Sequence, residues 1–466
     1  MVHPLDPTAA GFLLAENRRM PMHVGGLHLY TKPEGAGRSF VRDLYTELTE
    51  SGDVAPLFLK HPYRSVRTGG QWVWVDDDQF DIEYHVRHSA LPKPGRVREL
   101  LELCSRLHST RLATERPLWE WHLIEGLRDG RVAMYAKLHH ALVDGVSAMR
   151  LLQSILSSDP DRRDLPAPWE NRPGLAREPR EPTVASLSDL RGQAIAGALA
   201  IGAEAAGLPG ALVQTLNRSL RNETSALSLY APRTILNQPI TAARRFAAQD
   251  WPLDRLKAIG RATDTTVNDV VLAMCSGAMR TYLLELGALP DTTLISMVPV
   301  GLKAKESQVA SSSGGNAVGA VMVKLGTDLA DPADRLQAIH GSMADGKRAL
   351  AQMTPLQILA MSALGQAPAV LGPMLKMSGL VKPPYNLIIS NVPGPRTTQY
   401  FNGMRLEGTY PLSIPIDGMA LNITCNSYAD QMAFGLTGCR RTVPHLQRLL
   451  LHLDAEVHAL ERAAGI

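Results

Sequence analysis

The chain has 466 residues, of which 45% are apolar and 20% charged. That is long for one domain, suits two, and supplies enough apolar surface for a large core. A net charge of +3 is too small to point to nucleic acid, and no nucleic-acid-binding motif is present.

Residues 20–30 follow a proline and read as a strand, as does the alternating stretch 71–75, which runs into three aspartates. Residues 97–111 place Leu100, Leu101, Cys104 and Leu107 at helical spacing. Two apolar strands, 119–125 and 131–139, flank the turn Arg128-Asp129-Gly130. A helix over 144–156 follows. Residues 159–183 are dense in proline and charge and read as a linker, and 184–221 as an interrupted helix. Beyond residue 240 the pattern predicts helices at 253–262 and 266–286, strands at 293–300 and 317–325, and helices at 331–351 and 355–380. Strands at 387–391, 419–428 and 432–438 precede a closing helix at 444–464. Both halves mix strands and helices, so the fold class is α/β (α+β). The expected division is 1–158, a linker or crossover at 159–239, and 240–466.

Aromatics make up 5% of the chain, so the core should be mostly Leu, Val, Ala, Ile and Met. Cys104, Cys275, Cys425 and Cys439 form no C-x-x-C pair and no zinc spacing, which suits buried thiols in a reducing compartment. The first residues carry no basic and apolar leader pattern, and the most apolar run, 194–203, is too short to span a bilayer. A cytoplasmic protein is expected.

The stretch richest in chemistry is Lys137-Leu138-His139-His140-Ala141-Leu142-Val143-Asp144-Gly145, where a strand gives way to a helix. Strand side chains alternate faces, so the two histidines point opposite ways and do not readily share one metal. One imidazole should face a cleft and the other the interior. A neutral histidine can take a proton from a hydroxyl near neutral pH, although a lone histidine is more often structural. Asp144 suits a helix cap or a brace to an arginine, and Gly145 a tight turn. The serine-hydrolase elbow, the Walker loop and the dinucleotide fingerprint are all missing from the sequence.

His139-His140-Ala141-Leu142-Val143-Asp144-Gly145 resembles the HHxxxDG signature of the CoA-dependent acyltransferase superfamily. Arg116-Pro117-Leu118-Trp119-Glu120 resembles the PLW motif of bacterial wax ester synthase/diacylglycerol acyltransferases (WS/DGAT). Val267-Asn268-Asp269-Val270-Val271-Leu272 is similar to their ND motif, and Ser390-Asn391-Val392-Pro393-Gly394-Pro395 to their SNVPGP segment. Tyr410-Pro411-Leu412-Ser413 stands where they carry a PLS-type motif; Leu5-Asp6 and Pro21-Met22-His23-Val24-Gly25 also fit. Leu112-Ala113-Thr114-Glu115 departs from the family's Leu-Asp-Arg. The motifs run in the family order along the whole chain and look nearest to marine-bacterial wax ester synthases, less so to mycobacterial triacylglycerol synthases.

The resemblance implies two chloramphenicol acetyltransferase-like domains joined by a crossover, with a tunnel between them. It implies direct transfer of a long-chain acyl group from acyl-CoA to a fatty alcohol or a diacylglycerol, without cofactor or metal. His140 would be the general base, His139 and Asp144 its supports, and Asn268 a brace or the cap of its helix. Gly145, Pro117 and Trp119 would shape the substrate site, with Asn391 and Gly394 in a turn beside it. Leu356, Ala360 and Leu364 would line the tunnel, in the apolar stretch with Leu359, Val370, Leu371 and Leu375. Lys303, Lys305, Arg244 and Arg245 are candidate contacts for the CoA phosphates. Residues 184–220 suit peripheral contact with a membrane or lipid droplet, or packing against the second domain. Other readings of the same motifs are a mainly triacylglycerol-forming enzyme, a condensation-type amide-forming enzyme and an inactive lipid-droplet coat.

Overall fold

Opposite faces of the apolar strands must be covered, and the chain does this with helices on each sheet and with contact between the sheets. The computed structural model describes residues 2–5, 7–50, 52–65, 68, 70–143, 145–172, 231–301, 318–351 and 383–466. The expected segments at 184–221 and 355–380, with Leu356, Leu359, Ala360, Leu364, Val370, Leu371 and Leu375, lie outside the described residues. So do Asp144, Lys303 and Lys305.

In chain order, β1 (Val2–Pro4), α1 (Pro7–Ala15), β2 (His23–Thr31) and α2 (Phe40–Glu50) come first. Next are β3 (Lys60–Arg64), β4 (Trp72–Asp76), the single turn α3 (Ile82–His85), β5 (Val86–Ala90) and α4 (Val97–Ser109). The pair β6 (Trp119–Glu125) and β7 (Val132–His139) leads into α5 (Gly145–Gln153). The second half holds β8 (Arg244–Pro252), α6 (Leu253–Ala262), α7 (Val267–Glu285), β9 (Ile295–Gly301), β10 (Val318–Lys324) and α8 (Pro332–Ala351). It ends with β11 (Leu387–Pro393), β12 (Tyr400–Phe401), β13 (Met404–Leu412), β14 (Leu421–Tyr428), β15 (Gln431–Cys439) and α9 (Arg448–Ala464).

Among the described residues the strands form two six-stranded sheets and a small one. The first sheet runs β12-β13-β2-β7-β6-β5, the second β10-β9-β11-β14-β15-β8, and the small one β1-β4-β3. The expected hairpin is present: β6 and β7 pair antiparallel with Trp119 opposite Leu138. β13 belongs to the C-terminal half yet pairs antiparallel with β2, Tyr410 opposite Leu27. The span 240–466 therefore contributes strands to both sheets. A bulge at Glu407 shifts the register between Leu406 and Gly408.

Two cores differ in chemistry. The second sheet packs α7 and α9 through Val270, Val271, Met274, Leu436, Leu453 and Val457, the aliphatic core the composition predicts. α7 is buried nearly all round, so its apolar residues show little one-sided pattern. The first sheet gathers much of the scarce aromatic content on one face. Trp119 stacks on Trp169 at 5.4 Å and on His85 at 4.5 Å, with Phe58 edge-on at 5.3 Å. The opposite face is covered by α4 through Leu100 and Cys104. All four cysteines are buried free thiols.

Candidate active site

The two histidines diverge where β7 ends, as strand alternation requires. His139 is fully buried, on the face of β7 shared with Lys137 and Tyr135. Its backbone N–H donates to the Leu118 carbonyl at 3.0 Å. The Ala141 N–H donates to its Nδ1 at 3.0 Å. A neutral ring accepting at Nδ1 carries its proton on Nε2, and Nε2 faces the Glu16 carboxylate at 3.6 Å. Leu142 N–H closes the turn on the His139 carbonyl at 2.9 Å. His139 thus fixes the turn from inside and has no free direction toward a substrate.

His140 leaves the strand on the other side and is half-buried. Its N–H donates to the Met22 carbonyl at 2.8 Å, and its ring stacks on Phe12 at 4.2 Å between centroids. Phe12 packs against the core of the second sheet and also against the cluster containing Leu118 and Ala141. The imidazole is therefore presented where the two halves meet.

Glu16 ties these parts together. Its carboxylate accepts from Met22 N–H at 3.1 Å and from Arg111 at 3.2 Å. Burial pushes its carboxyl up, but the facing His139 ring, the Met22 N–H and Arg111 together hold it below the usual range. Phe12 and Glu16 escaped the sequence reading. Their signal is only an apolar run ending in an acid, on and just after a short helix remote in sequence from His140.

Beneath α4 lies a buried polar layer. Glu120 receives Lys137 at 3.2 Å, with His122 at 3.4 Å and Arg87 at 3.5 Å. His108 donates from Nε2 to the Ser413 carbonyl at 3.0 Å, so its Nδ1 accepts the Tyr135 hydroxyl at 2.9 Å. Burial keeps this ring neutral by lowering it to about 3. The Pro411-Leu412-Ser413 segment is thereby anchored to the strand that carries the histidines.

Other expected site residues fall as follows. Trp119 is a core residue, 2% exposed, whose indole N–H donates to the Phe58 carbonyl at 2.9 Å. It belongs to the aromatic stack of the first sheet, in keeping with a residue that shapes the core. Pro117 is buried, its carbonyl accepting from the Trp119 N–H at 2.9 Å. Gly145 opens α5. Asn268 sits in the first turn of α7, but the cap is Thr266, whose hydroxyl accepts the Asp269 N–H at 3.2 Å in a reciprocal capping box. The Asn268 side chain instead accepts from Asn391 at 3.4 Å, joining the ND and SNVPGP segments. Gly394 follows β11, and its N–H donates to the Ser427 hydroxyl at 3.2 Å. Arg244 is not available to a CoA phosphate: it is buried and donates to the Thr241 and Arg19 carbonyls. Its neighbour Arg245 is half-buried.

A two-sheet α/β chain with an HHxxxDG turn at the junction of its halves defines an acyltransferase of the CoA-dependent type. A model of the wax ester synthase/diacylglycerol acyltransferase catalytic domain matches residues 5–271, and one of the WS/DGAT C-terminal domain matches 314–461. The chain belongs to this WS/DGAT family. It is 48% identical to relatives from Mycobacterium bovis and Mycobacterium tuberculosis named as diacylglycerol O-acyltransferases, over 99% of each chain. It is 40% identical to the wax ester synthase/diacylglycerol acyltransferase of Marinobacter aquaeolei, with a TM-score of 0.77 over the whole of both chains. The motifs suggested the marine enzymes as nearer; the mycobacterial relatives match at higher identity. A condensation domain of the calcium-dependent antibiotic synthetase, 17% identical, shares the fold with a TM-score of 0.57, covering 100% of this chain and 96% of that one. The chain is an acyl-CoA acyltransferase. No described helix is long and apolar enough to cross a membrane.

Proposed function

We propose that the chain transfers a long-chain acyl group from acyl-CoA to the hydroxyl of a diacylglycerol, with fatty alcohols as a second acceptor, and that His140 is the general base. The observation that carries this is the half-buried His140 ring, stacked on Phe12 between the two halves, with its backbone N–H on the Met22 carbonyl. Relatives at 48% identity that are named diacylglycerol O-acyltransferases favour the glyceride over the fatty alcohol.

In the scheme His140 takes the acceptor's proton as the hydroxyl oxygen attacks the thioester carbonyl carbon. The tetrahedral adduct collapses, the C–S bond breaks, and the CoA sulfur takes the proton from the imidazolium. Atoms balance without an acyl-enzyme, a metal or a cofactor. His139 and Glu16 set the direction of the ring, and the Asn268–Asn391 contact joins α7 to the end of β11. Asp144, the remaining charged residue of the signature, is assigned a supporting role. Alkyl chains bind by burial, worth about 0.8 kcal/mol per methylene. Such substrates dissolve in lipid, so peripheral contact with a membrane or lipid inclusion is part of the proposal.

The test is CoA thiol release from palmitoyl-CoA, with dipalmitoylglycerol and hexadecanol offered separately. His140→Ala should lower kcat by about 10²–10⁴-fold with either acceptor. Retained turnover in that variant would remove the base assignment. Absence of release with both acceptors in folded wild-type protein would refute the acceptor class.

A further inference from the structure

Arg244 is committed to backbone carbonyls, and its contacts gather other arginines around it. Its guanidinium donates to the Arg19 carbonyl at 2.7 Å, and its backbone N–H to the Ser109 hydroxyl at 2.8 Å. Ser109 ends α4, two residues before Arg111. The neighbouring Ala243 carbonyl accepts the Arg440 N–H at 3.0 Å, in the turn that follows β15. Four segments remote in sequence therefore meet at one place. Each brings arginine: Arg18 and Arg19, Arg111, Arg244, and Arg440 and Arg441.

Two carboxylates enter this group, and both are taken. The Asp417 side chain, 1% exposed, meets Arg19 at 3.1 Å, and that of Glu16, 2% exposed, meets Arg111 at 3.2 Å. Arg18, Arg440 and Arg441 are exposed and have no carboxylate partner among the described residues. Clustered cations without internal partners raise the local concentration of anions. The cluster also adjoins the histidine turn. The Glu16 carboxylate that holds Arg111 faces His139 Nε2 at 3.6 Å. Arg19 stands three residues, at most about 11 Å of chain, before Met22, whose carbonyl accepts the His140 N–H at 2.8 Å.

Acyl-CoA is anionic at one end only. Its 3′-phosphate and diphosphate carry about four negative charges, and the uncharged pantetheine arm separates them from the thioester. That arm is as long as about four or five extended residues, roughly 15 Å. A thioester at His140 therefore leaves the phosphates well away from the imidazole, among groups that need not be buried. We propose that Arg18, Arg440 and Arg441 bind the phosphates of the acyl-CoA donor, on a scaffold fixed by the Arg19–Asp417 pair and the Arg244 hydrogen bonds. The inference rests on the acyl-transfer reading above and names the contacts of its donor. Arginine suits the task because its planar fork meets two phosphate oxygens at once. An anionic lipid surface also presents phosphate. The link through Glu16 to the histidine turn favours the donor, whose polyanionic end must lie one pantetheine arm from His140.

The experiment measures the affinity of the full chain for CoA by titration calorimetry. Beside it stand KM for palmitoyl-CoA and for S-palmitoyl-pantetheine, which lacks every phosphate. Wild type is compared with Arg440→Gln/Arg441→Gln, Arg18→Gln and the charge-keeping Arg440→Lys/Arg441→Lys. Arg98→Gln/Arg348→Gln, at exposed arginines on α4 and α8, controls for net charge. The Arg440/Arg441 glutamine pair should weaken CoA about tenfold and Arg18→Gln about threefold, with KM for palmitoyl-CoA rising in step. KM for the pantetheine thioester should stay within twofold, and the lysine pair should recover most of the CoA affinity. Added salt should weaken CoA binding more steeply in wild type than in the glutamine pair. Equal losses for both thioesters, no loss for either, or the same loss in the charge control would overturn the phosphate site. So would CoA affinity that survives while binding to phosphatidylglycerol vesicles is lost, which would assign the arginines to a lipid surface. Wild type that does not bind CoA would overturn the site outright. Wild type that binds CoA in this pattern but acylates neither acceptor would remove the acceptor class and leave the site standing.

Discussion

Glu120 is the most informative residue to neutralise. Its carboxylate is nearly buried, 3.2 Å from the fully buried Lys137 ammonium, with His122 and Arg87 behind it. Burial alone would raise its carboxyl; the His122 hydrogen bond and the charges of Lys137 and Arg87 outweigh it and pull it to about 2. Each pH unit of depression corresponds to about 1.4 kcal/mol, so a carboxyl held at about 2 rather than 4.5 contributes about 3 kcal/mol at neutral pH. Lys137 is itself pushed down by burial, which subtracts from what the pair contributes as a whole. Glu120→Gln preserves shape and strands Lys137, and removing one partner of a buried pair costs about 3–5 kcal/mol. The expected loss is therefore about 3 kcal/mol between pH 6 and 8, read from urea midpoints. A depressed carboxyl contributes fully above its unfolded value and loses its effect as pH falls toward the folded one. The gap between wild type and variant should accordingly narrow as pH drops below 4.5 toward 2. Adding Lys137→Met should return more than half of the loss. A gap below 1 kcal/mol at pH 7, or one that widens in acid, would refute the account.

Two further outcomes follow from the joints of the structure. Glu16→Ala removes the acceptor of Met22 N–H and the partner facing His139, so kcat should fall about tenfold with KM within threefold; Glu16→Gln, which keeps an acceptor, should retain most activity. A Cβ on Gly435 would land on the Pro411 carbonyl where β15 meets β13. Gly435→Ala should thus cost more than about 3 kcal/mol or abolish soluble protein, whereas Gly130→Ala, with open space but positive φ, should cost about 1 kcal/mol. Equal losses at the two glycines would contradict the proposed contact between the sheets.

Local chemistry made much of the chain legible. The helix expected at 253–262 and the strand expected at 119–125 have those bounds, since each has a strong apolar pattern between clear breakers. The divergence of His139 and His140 was also determined locally, because alternation along a strand needs no knowledge of the fold. β13 was not read as a strand: Tyr410-Pro411-Leu412 contains a proline, and its partner β2 lies almost 400 residues earlier in the chain. β8 was missed because Arg244 and Arg245 look like surface cations, yet strand pairing and backbone carbonyls bury the first.

The sequence by itself determined the family, the mixed α/β class and which imidazole is displayed, because motifs and periodicity are properties of neighbouring residues. Only the tertiary structure decided that Arg244 is buried on backbone carbonyls, that the Asn268 side chain meets Asn391, and that Glu16 faces His139 while Phe12 stacks on His140. The physical reason is that burial and hydrogen-bond partnership between distant segments are set by strand pairing, and pairing over hundreds of residues leaves no periodic trace in either partner.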